Sequence, residues 1–271
     1  MPILLAERST LVPSWGGRVK PAPTRPQPAR LEAIWARDAT EVRAAQRLRY
    51  RVFAHEMGAR LDAASAAAGL DVDRFDAFCD HLLVRAGPPG AGVVVGTYRV
   101  LRPARARDAG GYYTDTEFDL APLAPLRSRA LELGRSCVHP DWRSGGVILA
   151  MWGALASYMQ RHRLETMIGC ASIGIADGGA NAAAVWRALR RTHMADPCWH
   201  VTPRHPLPDI APGPSAANAV APPLVKGYLR CGARIIGAPA LDAAFGTADL
   251  PLMLRMQDLA PRYRRHLLES S

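Results

Sequence analysis

Residues 130–161 constrain this chain more than any other stretch. The run Ala130-Leu-Glu-Leu-Gly-Arg-Ser-Cys-Val138 alternates like a half-buried strand and carries one carboxylate, Glu132, and one guanidinium, Arg135. A turn through Pro140 and Arg143 follows, then Gly145-Gly146, then an uncharged run to Met159. That run sets Val147, Met151, Leu155 and Tyr158/Met159 on one helical stripe, which predicts a core helix. It is shorter than the roughly 18 residues a membrane-spanning helix needs.

A strand feeding a glycine-opened helix forms an anion seat, because unpaired N–H groups and the positive end of the helix dipole converge there. The candidates for that seat are Arg143 and the backbone of Ser144, Gly145, Gly146 and Val147. Glu132 is unusual in mid-strand, since buried charges need partners. It reads either as half of a structural salt bridge or as a general base. Strict alternation places Leu131, Leu133 and Arg135 on one face and Glu132, Gly134 and Ser136 on the other. A base beside a phosphate seat points to group transfer from a phosphate-bearing carrier.

The formal net charge is +10, and the only lysines among the 34 basic residues are Lys20 and Lys226. So arginine-rich a chain attracts anions and holds carboxylate or phosphate in bidentate fashion. No zinc-finger, RNP or helix-turn-helix signature accompanies the charge, so nucleic acid is not an expected partner. Five irregularly spaced cysteines and no secretory signal predict free thiols in a reducing cytoplasm.

Residues 1–30, rich in proline and arginine, read as a disordered basic arm, able to touch an anionic membrane surface. Asp38 and Glu41 at capping-box spacing open a helix that runs to Gly58, and order is expected to begin near Asp38. Residues 59–80 read as an irregular acidic segment. His81–Arg85 and Val93–Leu101 flank Gly87-Pro88-Pro89-Gly90 and predict a hairpin, and residues 103–116 a polar loop. Met167–Ser172, Arg234–Ile236 and Leu250–Met256 read as strands, and 181–191 and 224–231 as helices. Residues 192–223 hold eight prolines and read as an insertion or lid. The mixture predicts one α/β domain with helices covering a sheet.

Asp71, Asp73 and Asp76 read either as a clamp for a cationic substrate or as a network with Arg47, Arg51, Arg99 or Arg135. His193, Cys198, His200 and His205 lack metal-ligand spacing, so no metal is expected. Cys137 has no strand-to-helix elbow that would make it a nucleophile. Tyr228, four residues before Gly232, is placed to protonate a leaving thiolate, or else simply packs.

These features, in this order, resemble the GNAT acyltransferase superfamily. Arg143 and Gly146 fit its phosphate loop, with Ile148 in place of the final small residue, and Tyr228 with Gly232 fits its late tyrosine–glycine motif. Leu48–Phe53, Asp73-Arg-Phe-Asp76, Gly96–Val100 and Glu132-Leu-Gly-Arg135 resemble the acyl-homoserine-lactone synthases. That likeness implies a base at Glu132 and an acid–arginine network of Asp73, Asp76, Arg99 and Arg135.

The runs Cys137–Pro140, Gly169–Ser172, Lys226–Ala233, Pro239–Asp242 and Thr247–Leu250 resemble the L-ornithine Nα-acyltransferases, with the likeness covering residues 31–268. It implies a single GNAT-like domain with a mixed, mostly antiparallel central sheet flanked by helices. It also implies a 3-hydroxyacyl chain on acyl carrier protein as donor, L-ornithine as acceptor and lyso-ornithine lipid as product. Ser172 and Lys226 join Asp73, Asp76, Arg99 and Arg135 as substrate-binding candidates, while Cys137 and Val138 join the donor seat. No cofactor is expected beyond the carrier's acyl-phosphopantetheine, and the enzyme is expected in the cytoplasm, with peripheral contact at the anionic inner membrane. An autoinducer synthase, or an acyltransferase for lysine, glycine or glutamine, is the alternative.

Overall fold

The computed structural model describes residues 30–88, 90–143, 145–210, 219–261, 263 and 264. The expected basic arm, apart from Arg30, and Ser144 of the anion seat lie outside these residues.

The strands are β1 (Leu31–Trp35), β2 (Asp80–Ala86), β3 (Val93–Leu101), β4 (Phe118–Asp119), β5 (Ala130–Val138), β6 (Thr166–Gly174), β7 (Thr202–Pro203), β8 (Arg234–Ile235), β9 (Ala240–Asp242) and β10 (Thr247–Arg255). The helices are α1 (Ala39–Tyr50), α2 (Ala63–Ala68), α3 (Pro103–Asp108), α4 (Thr114–Glu117), α5 (Gly146–Arg161), α6 (Ala180–Leu189) and α7 (Pro223–Cys231). The main sheet runs β1-β2-β3-β5-β6-β10-β8, with β9 on β10, and β4 pairs with β7 apart from it. Its pairs are antiparallel except β5–β6, which the α5 crossover makes parallel. This is the expected single GNAT-like α/β domain.

The hydrophobic stripe of α5 packs with Leu82, Val84 and Leu131 on one face of the sheet, and α6 and α7 cover the same face over β6 and β10. The other face carries α1, through Leu48 beside Cys137, and the α3–α4 region, through Tyr112, Phe118 and Ile168. Asp38 caps α1 by accepting from the N–H groups of Thr40 and Glu41. The helix then loosens into a π-helical turn, Arg51–Glu56.

Several expectations need correction. Order starts before Asp38, at β1, all five residues of which pair with Leu82–Ala86 of β2. Residues 59–80 contain α2, capped by Asp62, and 103–116 contain α3 and the start of α4. The described part of the proline-rich 192–223 segment is stitched down rather than hinged. Val201 bridges Gly237 and donates its N–H to the Ile236 carbonyl, Pro206 bridges Ala240, and β7 pairs with β4.

The alternation of β5 breaks at Arg135, whose φ of 49° is left-handed. The β3–β5 register shifts there, so that Arg135 and Ser136 together stand opposite Tyr98, between the paired Gly134 and Cys137. The bulge brings Arg135 onto the face of Glu132, where it reaches Asp73 at 3.1 Å and covers the rings of Tyr113 and Phe245. Arg135 is therefore not on the Leu131/Leu133 face.

The acidic segment forms the network alternative, not the open clamp. Arg49, 0% exposed, holds Asp71 at 2.7 Å and Asp76 at 2.8 Å, and Arg99 bonds Asp73 and Asp76. Arg49 replaces the expected Arg47 and Arg51. The guanidiniums hold the Asp73 and Asp76 carboxyls below the usual carboxylate range, against the opposing effect of burial.

Removing one partner of a buried ion pair leaves an uncompensated charge. Asp76→Asn is therefore expected to cost about 3–5 kcal/mol, read by denaturant unfolding. Because the folded-state pKa values of Asp73 and Asp76 are depressed, their stabilisation is full above the unfolded-state value of about 4. It is lost as pH falls below that value, and Asp76→Asn should flatten the acid limb of stability against pH.

Candidate active site

β5 and β6 pair only through Ala130–Glu132 and Thr166–Ile168, then part. Gly169 sits at the fork. A Cβ there would stand 2.3 Å from the carbonyl oxygen of Leu133, so only glycine allows the strands to come this close before diverging. Beyond Glu132 the edge of β5 facing β6 has no strand partner. A mostly apolar cavity of about 840 Å³ fills the gap, reaching both faces of the sheet.

Glu132 lines this cavity at the fork and is buried. Its Oε2 accepts from the Tyr113 N–H at 2.8 Å, and its Oε1 from the Thr114 N–H at 2.7 Å and hydroxyl at 2.6 Å. Three of roughly four carboxylate acceptor sites are thus filled, leaving one for a reacting proton. Burial raises its pKa, and the three donors pull the other way. The holding loop is the 103–116 segment, which carries no hydrophobic period from which its role could be read.

Tyr228, from α7, lines the cavity from the opposite face and hydrogen-bonds the buried Tyr98 phenol of β3. Burial pushes the Tyr98 phenol up to about 12 and holds Tyr228 well above its ordinary range, so both are protonated at neutral pH.

The expected anion seat is only partly assembled. Gly145 has φ 99° and turns the chain into α5, which a side chain would oppose. Arg143 lines the cavity, but its terminal nitrogens grip Glu56 at 2.5 and 2.7 Å, while its Nε donates to the Val138 carbonyl at 3.2 Å. Gly146 abuts Leu31, and the Val147 side chain is buried in the core rather than lining the cavity. Cys137 and Val138 lie on the open edge. The Cys137 thiol, pushed up to about 12 by burial, is unsuited to be a nucleophile.

Arg99 and Arg135 line the cavity, and so does Ser172. Asp73 and Asp76, expected to bind substrate, do not line the cavity; they bond those arginines from behind. Lys226 is exposed on α7, whose cavity side carries Leu224, Gly227, Tyr228 and Cys231, and does not reach the site. Two residues that the sequence reading missed also line the cavity, Asp242 and Asp249. They lie in the Pro239–Asp242 and Thr247–Leu250 runs, which could have flagged them. Among the described residues, no group of three or more His, Cys, Asp and Glu could hold a metal ion, and no helix is long and apolar enough to cross a membrane.

Residues 48–153 match the family model described as an acetyltransferase (GNAT) domain. In solved structures, the fold is similar to the acyl-homoserine-lactone synthase LasI, with TM-score 0.51 and 15% identity over 89% of this chain and 96% of that one. It is also similar to FeeM, an N-acyl amino acid synthase from uncultured soil microbes, with TM-score 0.52 and 14% identity over 89% and 97%. The L-ornithine Nα-acyltransferase of Brucella abortus is 41% identical over 86% of this chain and 87% of its own length. That of Rhodobacter capsulatus is 37% identical over 88% and 94%. With a cavity at the fork of β5 and β6 and identity of this extent, the chain belongs to the L-ornithine Nα-acyltransferase family of GNAT-fold N-acyltransferases.

Proposed function

We propose that this protein transfers a 3-hydroxyacyl chain from acyl carrier protein to the α-amine of L-ornithine, giving lyso-ornithine lipid. One observation carries the reading: a buried carboxylate, Glu132, with one free acceptor site, stands at the fork where the cavity meets the open edge of β5. The thioester lies along that edge, where backbone N–H groups polarise its carbonyl. Glu132 takes a proton from the α-ammonium, directly or through one water. The amine attacks and a C–N bond forms; the tetrahedral intermediate loses its surplus N–H proton to solvent, and the C–S bond breaks to expel the thiolate. Tyr228 supplies the sulfur's proton and is itself reprotonated from solvent. Arg135, stacked between Tyr113 and Phe245, turns toward the cavity and faces the acceptor carboxylate.

The arginine-rich surface attracts an acidic carrier protein, and opposite potentials speed encounter and fix orientation. The pantetheine phosphate replaces Glu56 on Arg143. That exchange is cheap, because a half-exposed ion pair contributes only about 0.2–1 kcal/mol. The reaction needs no metal or redox cofactor. The enzyme works in the cytoplasm and contacts the anionic inner membrane peripherally, where a lipid product is delivered.

Glu132→Gln is expected to lower turnover roughly 10²-fold, read by product mass with 3-hydroxyacyl carrier protein and ornithine. In the wild type, kcat/KM should fall as acid protonates Glu132, at a pH above that of an ordinary glutamate because its pKa is raised. Equal turnover and an unchanged pH profile in the variant would remove Glu132 from the chemistry. Glu56→Ala is expected to lower KM for the acyl donor by up to about 5-fold, since 1 kcal/mol is worth about that factor. An unchanged or higher donor KM would place the phosphate elsewhere.

A further inference from the structure

The chain buries two groups of carboxylates on one face of the sheet and treats them differently. Asp71, Asp73 and Asp76 are matched by Arg49, Arg99 and Arg135. Asp242 and Asp249, with Glu117 beside them, form no ion pair among the described residues, in a chain carrying 34 lysines and arginines. Asp249 is 4% exposed and still opens on the cavity. Its neighbours are hydroxyls: Thr247 Oγ1 donates to its Oδ1 at 2.9 Å, and Ser172 lies opposite it on β6. The Tyr113 hydroxyl stands 3.4 Å from Glu117 Oε1 and 3.5 Å from Asp242 Oδ2, joining the group to the loop that holds Glu132. The buried Cys170 thiol feels Asp249, Glu132 and Glu117 together, so the group adjoins the proposed base.

Burying negative charge without a cation is costly. The cost shows in the carboxyls themselves: Asp249 is raised to about 6 and Glu117 to about 7, burial being the largest cause for each. Arg135 offsets part of that cost from a distance while paired with Asp71 and Asp73, and a bound cation would supply the rest. Among the described residues these carboxylates are not gathered as a metal-ligand group, whereas an ammonium can donate to dispersed carboxylates and hydroxyls.

We propose that Asp249 and Asp242, with Glu117 behind them, form the subsite that receives the side-chain ammonium of the acceptor amino acid, and that this pairing selects a diamino acid over a neutral one. The inference rests on the acyl-transfer reading above and adds the residues that choose the acceptor. With the side-chain ammonium seated among these carboxylates and the α-carboxylate at Arg135, the α-amine is held over Glu132. A neutral side chain of equal length would leave the carboxylates unpaired.

The test compares L-ornithine with L-norvaline, which has the same carbon skeleton without the terminal amine. Binding is read by calorimetry, and transfer by product mass with acyl carrier protein as donor. The proteins are wild type, Asp249→Asn and the half-buried Glu117→Gln, each checked for an unchanged melting profile. The wild type should favour ornithine. The ornithine-to-norvaline ratio should fall about 10- to 100-fold in Asp249→Asn, the range for hydrogen bonds to a charged group, and less in Glu117→Gln. An ornithine preference that survives both variants overturns the subsite, and so does a wild type that treats the two amino acids alike. Ornithine binding that depends on Asp249 without any acyl-ornithine formed would keep the subsite and overturn the transfer reading.

Discussion

The structure depends on a buried ionic lattice of three arginines and three aspartates, Arg49, Arg99 and Arg135 with Asp71, Asp73 and Asp76. Their charges cancel, and the planar fork of arginine lets each guanidinium, from a different element, bridge two carboxylates of the 71–76 segment. A left-handed arginine costs of order 1–3 kcal/mol and survives only where its surroundings over-determine it. Here Asp71 and Asp73 do so, holding Arg135 from behind while two aromatic rings close over it. The bulge this fixes turns β5 away from β6, and the parted strands make the cavity. Such lattices are weak sources of net stability but strict about geometry.

Periodic elements were legible in the sequence because each buries a face with its own repeat. The α5 stripe, the β2–β3 hairpin and β6 follow directly from spacing. The Asp73, Asp76, Arg99 and Arg135 association was legible too, through resemblance. What alternation could not give is the bulge, because a single left-handed residue leaves no mark in the hydrophobic pattern and inverts every face after it. Nor could it give the partners of Glu132. Tyr113 and Thr114 act mainly through backbone N–H groups, which any residue other than proline carries. Arg49 hid for a similar reason: one arginine among several on α1, it is singled out only by facing the sheet.

The phosphate seat shows the opposite failure, a motif present in sequence whose key side chain is occupied. Arg143 faces the cavity but grips Glu56, at the end of the π-helical turn that follows α1. A half-exposed pair of this kind is readily exchanged for another anion. Glu56 thus occupies the guanidinium at the cavity wall until another anion displaces it.

The fork also separates two chemical tasks that would interfere on one surface. On the α5–α7 side, the mouth of the cavity is apolar, and Leu149 remains 44% exposed there, as suits a fatty chain. On the other side stand Glu132, Arg135, Asp242 and Asp249, as suits an amino acid with three charged groups. The sheet itself is the partition, and in the proposed reaction the gap beyond Leu133 is where the thioester and the amine meet. Holding them there converts an encounter between three molecules into one within a single cleft, a gain that reaches several kcal/mol when the geometry is close. The two sides draw on different elements, α5 and α7 on one and β9 and β10 on the other, so under the proposed reading the acyl chain and the acceptor are recognised independently.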